Sequence, residues 1–260
     1  MKFECNSIVV VESIPTGQRL TGKELFDDII KIKCDQKNLG STYVDILSSV
    51  EFFGLLKDIC YKAKHEALLP VIHFEMHGNK SGLALKNGEI INWYSFVDLL
   101  RKINITCRNN LFISVSACCG GFIQDEIDIM NKSPFYGFIG PARDITPKEL
   151  YDSYVVFYDA FILEGNVSLA SRRLNEVCKD FNYANCEVIF DDLVKSFRNE
   201  EATRELANVL WQTSEYNDKY HSIEDLTKDL MSLAHEKEKL RSYRKNFCHH
   251  REIPNNEFYK

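Results

Sequence analysis

Two apolar runs, each followed by a reactive side chain, limit most strongly how this chain can fold. The first run covers residues 70–76 and is followed by His77, and the second covers residues 111–115 and leads to Cys118. Runs of this length and composition are typical of strands that are buried in a sheet. If the two strands are parallel neighbours, His77 and Cys118 converge on one crevice.

Strand and helix patterns alternate along the first 180 residues. This alternation predicts an α/β fold with a mostly parallel sheet and helices on both faces, in which functional residues gather at the carboxyl ends of the strands. The predicted strands are residues 7–12, 42–47, 71–76, 111–115 and 135–139, with a hairpin at residues 82–91. The predicted helices are residues 23–33, one starting after Ser48, one starting after Asn92, one between Thr146 and Gly165, and residues 167–180, with an amphipathic segment up to residue 130.

The character of the chain changes after about Asn182, where the sequence becomes charged and helical without a clear strand. We therefore expect one domain over residues 1–185 and a helical C-terminal extension over residues 186–260. The extension is either a helical appendage packed on the sheet domain or a docking or oligomerisation element. From Ile253 onwards the tail is predicted to be poorly ordered.

Composition narrows the class of protein. The 260 residues carry a net charge of −6, which argues against nucleic acid as the main partner. No apolar run reaches the ~18–20 residues needed to span a membrane, and the first residues lack the apolar core of a signal peptide. We expect a cytoplasmic protein that needs no cofactor. Its nine irregularly spaced cysteines are expected to be mostly buried, reduced side chains.

A cysteine and a histidine at neighbouring strand ends form a known type of nucleophilic site. A thiol attacks a carbonyl best as thiolate, and imidazole is a suitable base because its pKa lies near neutrality. Gly78 follows His77, and Gly120 and Gly121 follow the cysteines. Glycines allow backbone N–H groups to approach a substrate closely and to form an oxyanion hole.

Two other interpretations of these residues stay open. In the first, the histidine is a satisfied polar group and the cysteines only pack in the core. In the second, they are metal ligands, but adjacent cysteines do not easily complete one tetrahedral site. The second interpretation would use His73, His77, Cys118 and Cys119, and the Cys248-His249-His250 run also resembles a ligand set.

The motifs resemble those of caspase-related cysteine peptidases, and most closely those of CHAT domains. The histidine motif reads His73-Phe-Glu-Met-His77-Gly78, and about 40 residues later the cysteine motif reads Ser116-Ala117-Cys118-Cys119-Gly120. Residues 138–144, the Phe157-Tyr158 pair, Gly165 and the Leu169-Ala170 pair also follow the order of that family. The similarity covers roughly residues 40–180.

The resemblance implies a three-layer, caspase-like α/β fold with a catalytic dyad. Cys118 would be the nucleophile and His77 the general base, with an oxyanion hole from the backbone N–H groups of Gly78 and Cys118. Cys119 occupies a variable position and is either a bystander or a redox partner of Cys118.

The residues expected to set specificity depart from those of the best-known relatives. Many relatives that cut after basic residues have an acidic residue two positions before the cysteine, and caspases have glutamine there. This chain has Ser116 at that position, as many CHAT domains do. Arg143 and Asp144 either reach the crevice and influence specificity or form an exposed turn.

The leading functional hypothesis is a cysteine endopeptidase that acts on a protein or peptide substrate. The family suggests a regulated protease in a prokaryotic defence or cell-death setting, idle until a regulatory partner or ligand engages it. The competing hypothesis is a non-catalytic interaction module that acts through the helical extension. An acyl-transfer enzyme with the same dyad is a third possibility, because the nucleophile chemistry is shared.

Overall fold

The β-branched and aromatic runs of the sequence form the strands of one sheet. The computed structural model describes residues 3–118, 120–128, 130–211 and 214–249, and within these residues the sheet has eight strands. The strands are β1 Ser7–Ser13, β2 Gly40–Asp45, β3 Pro70–Asn79, β4 Gly82–Ala84, β5 Ile90–Asn92, β6 Phe112–Ser116, β7 Gly137–Pro141 and β8 Phe181–Asn185.

The sheet is mostly parallel, as the alternation of elements predicts. Its strand order is β2-β1-β3-β6-β7-β8, and the first five of these strands are parallel. β3 is therefore flanked by β1 on one side and β6 on the other. Beyond that ladder, the end of β3 pairs with β4, and β4 pairs with β5, both antiparallel. All strands predicted from the sequence are confirmed, including the hairpin.

β8 is a strand that the sequence analysis misses. Its five residues include two asparagines, which are disfavoured in strands, and the run is too short to give a clear alternation. The N–H of Ala142 donates to the carbonyl of Asp180 at 2.7 Å, and Gly137 faces the carbonyl of Ala184. The later residue of the first segment, Ala142, meets the earlier residue Asp180, and the earlier residue Gly137 meets the later residue Ala184. β8 is therefore antiparallel to β7. The helix predicted to reach residue 180 ends at Val177 instead.

The predicted helices are all present, with some changes in their ends. A π-helical turn, Phe26–Ile30, joins the first two helices, and the amphipathic segment forms a 3₁₀ helix, Gly120–Glu126. The α-helices are α1 Thr21–Leu25, α2 Lys31–Lys37, α3 Ser49–His65, α4 Trp93–Thr106, α5 Pro147–Glu164, α6 Val167–Val177, α7 Cys186–Ser196, α8 Glu200–Trp211, α9 Ser214–Asn217, α10 Ile223–Leu233 and α11 Lys237–Phe247.

Local capping signals explain why the helix boundaries were predictable. Thr146 and Glu149 form a reciprocal capping box at the start of α5, with Pro147 in its first turn. Gly165 ends α5 with φ +64°, a left-handed conformation that favours glycine. Such signals involve residues a few positions apart, so they can be recognised without knowledge of the tertiary fold.

Helices cover both faces of the sheet and give it three layers. On one face, Phe74 of β3 packs against Phe52 of α3 and Phe96 of α4, with ring centroids 6.0 and 4.9 Å away. On the other face, Val71 and Phe112 belong to a core cluster that includes residues of α1, α2, α5 and α6. The prediction of a mostly parallel α/β sheet with helices on both faces is confirmed.

The described chain divides into two compact units. One contains the described residues up to Ile127 and those from Pro134 to Ala184, which include most of the sheet, and the other contains the described residues of Asp128–Ser133 and those from Asn185 onwards. In the second unit, Phe190 of α7 packs against Phe247 of α11, and Arg244 forms ion pairs with Glu187 and Asp191. The domain boundary near residue 185 stays a prediction. The tail predicted to be poorly ordered, from Ile253, lies outside the described residues.

Among the residues that the structure describes, none of the helices combines the length and apolar character that crossing a bilayer requires.

Candidate active site

His77 lies where β3 leaves the parallel part of the sheet. β3 is paired with β1 as far as Met76, and from His77 it pairs with β4 instead. The first seven residues of β3 are buried, whereas His77 is exposed. The histidine therefore lies at the carboxyl edge of the sheet, where it is accessible to a substrate.

Cys118 lies two residues beyond the end of β6 and is partly exposed. The ladder between β3 and β6 ends with Glu75 opposite Ser116, so His77 and Cys118 each lie two residues beyond its last pair. The carboxyl ends of parallel neighbouring strands lie at the same edge of a sheet, where functional residues commonly gather. The structure thus brings the two predicted dyad residues to the same edge.

Gly78 packs directly against the backbone of the cysteine turn. A Cβ added at Gly78 would overlap with the carbonyl oxygen of Cys118 and would lie 3.0 Å from Cβ of Ala117. Only glycine allows the two chain segments to approach this closely. The contact shows that the end of β3 and the residues after β6 remain adjacent beyond the ladder between these two strands.

His73 is excluded as the accessible base by its position inside the sheet. It is fully buried, and its Nδ1 lies 2.8 Å from Oγ of Ser114, which lies 2.6 Å from the hydroxyl of Tyr158. Its Nε2 lies 3.3 Å from Oε2 of Glu75. Burial raises the pKa of the Tyr158 hydroxyl, so this group stays protonated and can donate. His73 is a satisfied core histidine, which agrees with the choice of His77.

Two buried carboxylates lie below the site and were not singled out in the sequence. Glu12 of β1 is opposite Glu75 of β3 in the register, and they are 0% and 4% exposed. Glu12 accepts hydrogen bonds from the N–H of Gly22 and the hydroxyl of Tyr43, at 2.8 and 2.7 Å. The available signal was a glutamate inside each of two otherwise apolar runs.

Burial raises the pKa of the Glu12 carboxyl above its ordinary value. The two hydrogen bonds that Glu12 accepts oppose this rise, and the nearby charge of Glu75 adds to it. Two carboxylates in one buried site are not easily ionised together. Glu12 and Glu75 together place two acidic groups on the sheet face below the candidate dyad.

The residues predicted to influence specificity have different surroundings. Ser116 is 1% exposed, and no described residue forms a hydrogen bond with its Oγ. Arg143 forms ion pairs with Asp180 at 2.8 Å and Glu149 at 3.1 Å and lines a cavity of about 450 Å³. The hydrogen bonds to both carboxylates raise the pKa of Arg143. Asp144 is exposed, and its carbonyl accepts a hydrogen bond from Arg143 at 2.7 Å.

The residues with a metal-ligand pattern are not grouped as ligands in the described part of the chain. There, no three His, Cys, Asp or Glu side chains are placed to hold a metal ion. Cys248 is buried, and a hydrogen bond to Cys186 and its burial raise the pKa of the Cys248 thiol. Cys119 and His250, which the sequence also made candidates, lie outside the described residues.

Comparison with known proteins identifies no family for this chain. A scan against protein-family models finds no match. A search of curated proteins finds no significant match. The resemblance to caspase-related peptidases therefore stays an expectation from the sequence motifs.

The contact at Gly78 predicts the effect of adding one methyl group there. Gly78→Ala should push the Cys118 peptide away and lower the free energy of unfolding by about 1–3 kcal/mol, as overpacking does. It should also slow alkylation of Cys118 by iodoacetamide, measured by mass spectrometry. Gly54 in α3 is the control, because a Cβ there meets no atom within 4 Å. Gly54→Ala should not slow alkylation, and equal rates in the two variants would contradict the predicted contact.

The buried Glu12 carboxyl predicts a pH-dependent stability. Because its folded-state pKa is raised, its contribution to stability is present below the pKa of an unfolded glutamate and is lost as pH rises through the folded value. The free energy of unfolding, measured with urea, should therefore fall in the wild type relative to Glu12→Gln as the pH rises from 4.5 to 7.5. Exposed Glu176→Gln is the control. If the stability advantage of Glu12→Gln over the wild type became smaller with rising pH, the predicted raised pKa of Glu12 would be contradicted.

Proposed function

We propose that this chain is a cysteine endopeptidase of the caspase-related, CHAT type, with Cys118 as nucleophile and His77 as general base. One observation carries the proposal: His77 and Cys118 each lie two residues beyond the last β3–β6 pair, at the carboxyl edge of the sheet. The close packing of Gly78 on the Cys118 peptide supports it. The three-layer arrangement of one sheet between two layers of helices is compatible with a caspase-like fold.

The dyad acts through one proton and one sulfur. The imidazole of His77 takes the proton of the Cys118 thiol, and the sulfur attacks the carbonyl carbon of the scissile peptide bond. The proton then goes to the leaving amine, and an acyl-enzyme forms. Water hydrolyses this thioester with His77 again acting as base, which regenerates the thiol.

The developing oxyanion needs N–H donors close to the sulfur. We assign this role to the backbone N–H groups of Gly78 and Cys118, which belong to two adjacent segments at the edge of the sheet. Removing one such donor typically costs about 100-fold or more in rate. The requirement for glycine at residue 78 is thus both steric and functional in this proposal.

The proposed substrate is a protein or peptide. We expect the enzyme to have no strong preference for a single charged side chain next to the cleaved bond. Ser116 is neutral, and the charge of Arg143 is compensated by Asp180 and Glu149. Both carboxylates lie within 3.1 Å of the guanidinium, so Arg143 is poorly suited to select an acidic side chain alone. Because these charges are balanced, we expect the site to accept neutral substrate side chains or a mixture of side chains.

Regulation by a partner is part of the proposal. The resemblance to CHAT domains implies a setting in prokaryotic defence or cell death, where the peptidase is idle until a partner or ligand engages it. The helical extension over residues 186–260 is proposed as the segment that receives this signal. Activity is therefore to be measured with the full chain, both alone and with candidate partner proteins. The proposed location of the protein is the cytoplasm.

The test is covalent labelling with a thiol-reactive peptidyl ketone. Wild-type protein should be labelled on Cys118, and fragmentation of the labelled peptide should distinguish Cys118 from Cys119. Cys118→Ala should abolish labelling. His77→Ala should slow labelling and peptide cleavage by about 100-fold or more, because general base catalysis contributes at least that much.

Matched variants control for indirect effects. Cys60→Ala removes another partly exposed thiol, and His65→Ala removes a histidine at the end of α3, so both should leave labelling unchanged. Labelling and cleavage at unchanged rates in His77→Ala would overturn the dyad. Absence of labelling and cleavage even with partners would favour the interaction module. Transfer of the acyl group to an added amine in preference to water would identify an acyl transferase.

A further inference from the structure

The loop between β1 and α1 reaches the site and contacts His77. Oε1 of Gln18 lies 2.7 Å from Nε2 of His77, although 59 positions separate the two residues in the sequence. The cysteine and histidine motifs do not include this loop. We propose that Gln18 is a positioning residue that holds the His77 imidazole toward Cys118, an inference that is based on the peptidase proposal above.

The sheet brings the Gln18 loop to His77. β1 is the parallel neighbour of β3, and the last residue of β1, Ser13, is opposite Met76. The chain that leaves β1 therefore emerges beside the residue that precedes His77. Ser13 is itself fixed, because its Oγ donates to the carbonyl of Ile46 and accepts from the N–H of Lys86, both at 2.9 Å.

Contacts on both sides of Gln18 hold the loop in place. The N–H of Gln18 donates to the carbonyl of Pro15 at 3.2 Å, which closes a turn. The next residue, Arg19, donates two hydrogen bonds to Oε2 of Glu24, at 3.0 and 2.6 Å. Its guanidinium also lies 5.0 Å from the ring centroid of Tyr151 in α5. A side chain between two such anchors can orient another group.

The hydrogen bond decides which imidazole nitrogen serves the cysteine. When Oε1 of Gln18 accepts a hydrogen bond, Nε2 of His77 carries the proton and Nδ1 keeps a free lone pair. Nδ1 is then the atom that takes the proton of Cys118. An orienting partner of this kind fixes both the tautomer and the ring, as second groups do in other base–nucleophile pairs.

In the part of the chain that the structure describes, the partner of Nε2 of His77 is this amide rather than a carboxylate. Glutamine is neutral, whereas a carboxylate in its place would stabilise the imidazolium and raise the pKa of His77. Arg19, the residue after Gln18, is paired with Glu24, and the Glu75 carboxylate lies 3.3 Å from Nε2 of the buried His73. Gln18→Glu therefore converts this contact into a test of proximity that does not depend on any substrate.

The first experiment titrates His77 in the full-length protein by NMR of its Cε1 proton, assigned with His77→Ala. Gln18→Glu should raise the midpoint of that titration by about one pH unit, because an opposite charge comes into hydrogen-bonding contact. Gln36→Glu is the matched control, since Gln36 is an exposed glutamine on α2. Equal midpoints in the two variants would overturn the contact.

The second experiment measures the rate at which iodoacetamide alkylates Cys118 as a function of pH. Gln18→Ala should lower the rate at pH 7 about tenfold, because a misplaced base is less effective. Gln18→Glu, which keeps an acceptor at this position, should restore most of the rate with a profile moved to higher pH. A rate in Gln18→Ala equal to that of Gln36→Ala would overturn the positioning role.

The two proposals fail in different ways. If the Gln18 variants change the titration of His77 and the alkylation of Cys118 but no peptide is cleaved, the peptidase proposal fails and the positioning role stands. If peptides are cleaved in a Cys118- and His77-dependent manner while the Gln18 variants behave like the Gln36 variants, only the positioning role fails.

Discussion

The parallel pairing of β3 with β6 is the interaction on which the candidate site depends. It sets Glu75 opposite Ser116, and His77 and Cys118 each follow two residues beyond that last pair. A slip of one residue would move one of the two side chains to the opposite face of the sheet. The register is held by buried apolar residues on both strands, so stability and chemistry have the same origin. Gly78 extends this pairing past the ladder by allowing close contact with the cysteine turn.

Polarity rises along one face of the sheet toward its carboxyl edge. Val71 and Phe112 begin the face in the apolar core, His73 and Ser114 follow as a hydrogen-bonded pair, and Glu75 comes next. Charged and polar groups in a core are costly unless they are paired. Their presence directly below His77 connects the core to the site, and Glu12 on the neighbouring strand joins this row through the same register.

Much of the fold could be predicted from the sequence because its signals are local. The capping box of α5, the left-handed Gly165 and the apolar runs of β1, β3 and β6 depend on residues a few positions apart. β8 was missed because a five-residue strand with two asparagines gains its stability from the neighbouring strand rather than from its own propensity. The Gln18 contact and the buried Glu12 depend on pairings between distant segments, which a single sequence does not specify.

Disulfide trapping tests most directly whether His77 and Cys118 are neighbours. In a Cys119→Ser background, His77→Cys should form a disulfide with Cys118 under mild oxidation by copper phenanthroline, because Gly78 packs on the Cys118 peptide. A disulfide requires Cα atoms about 4.4–6.8 Å apart, and the proposed neighbours at positions 77 and 118 should meet that requirement. His65→Cys in the same background should not cross-link to Cys118. The account predicts a disulfide between positions 77 and 118, mapped by mass spectrometry. A cysteine at position 77 that stays free, or that pairs with a different thiol, would contradict it.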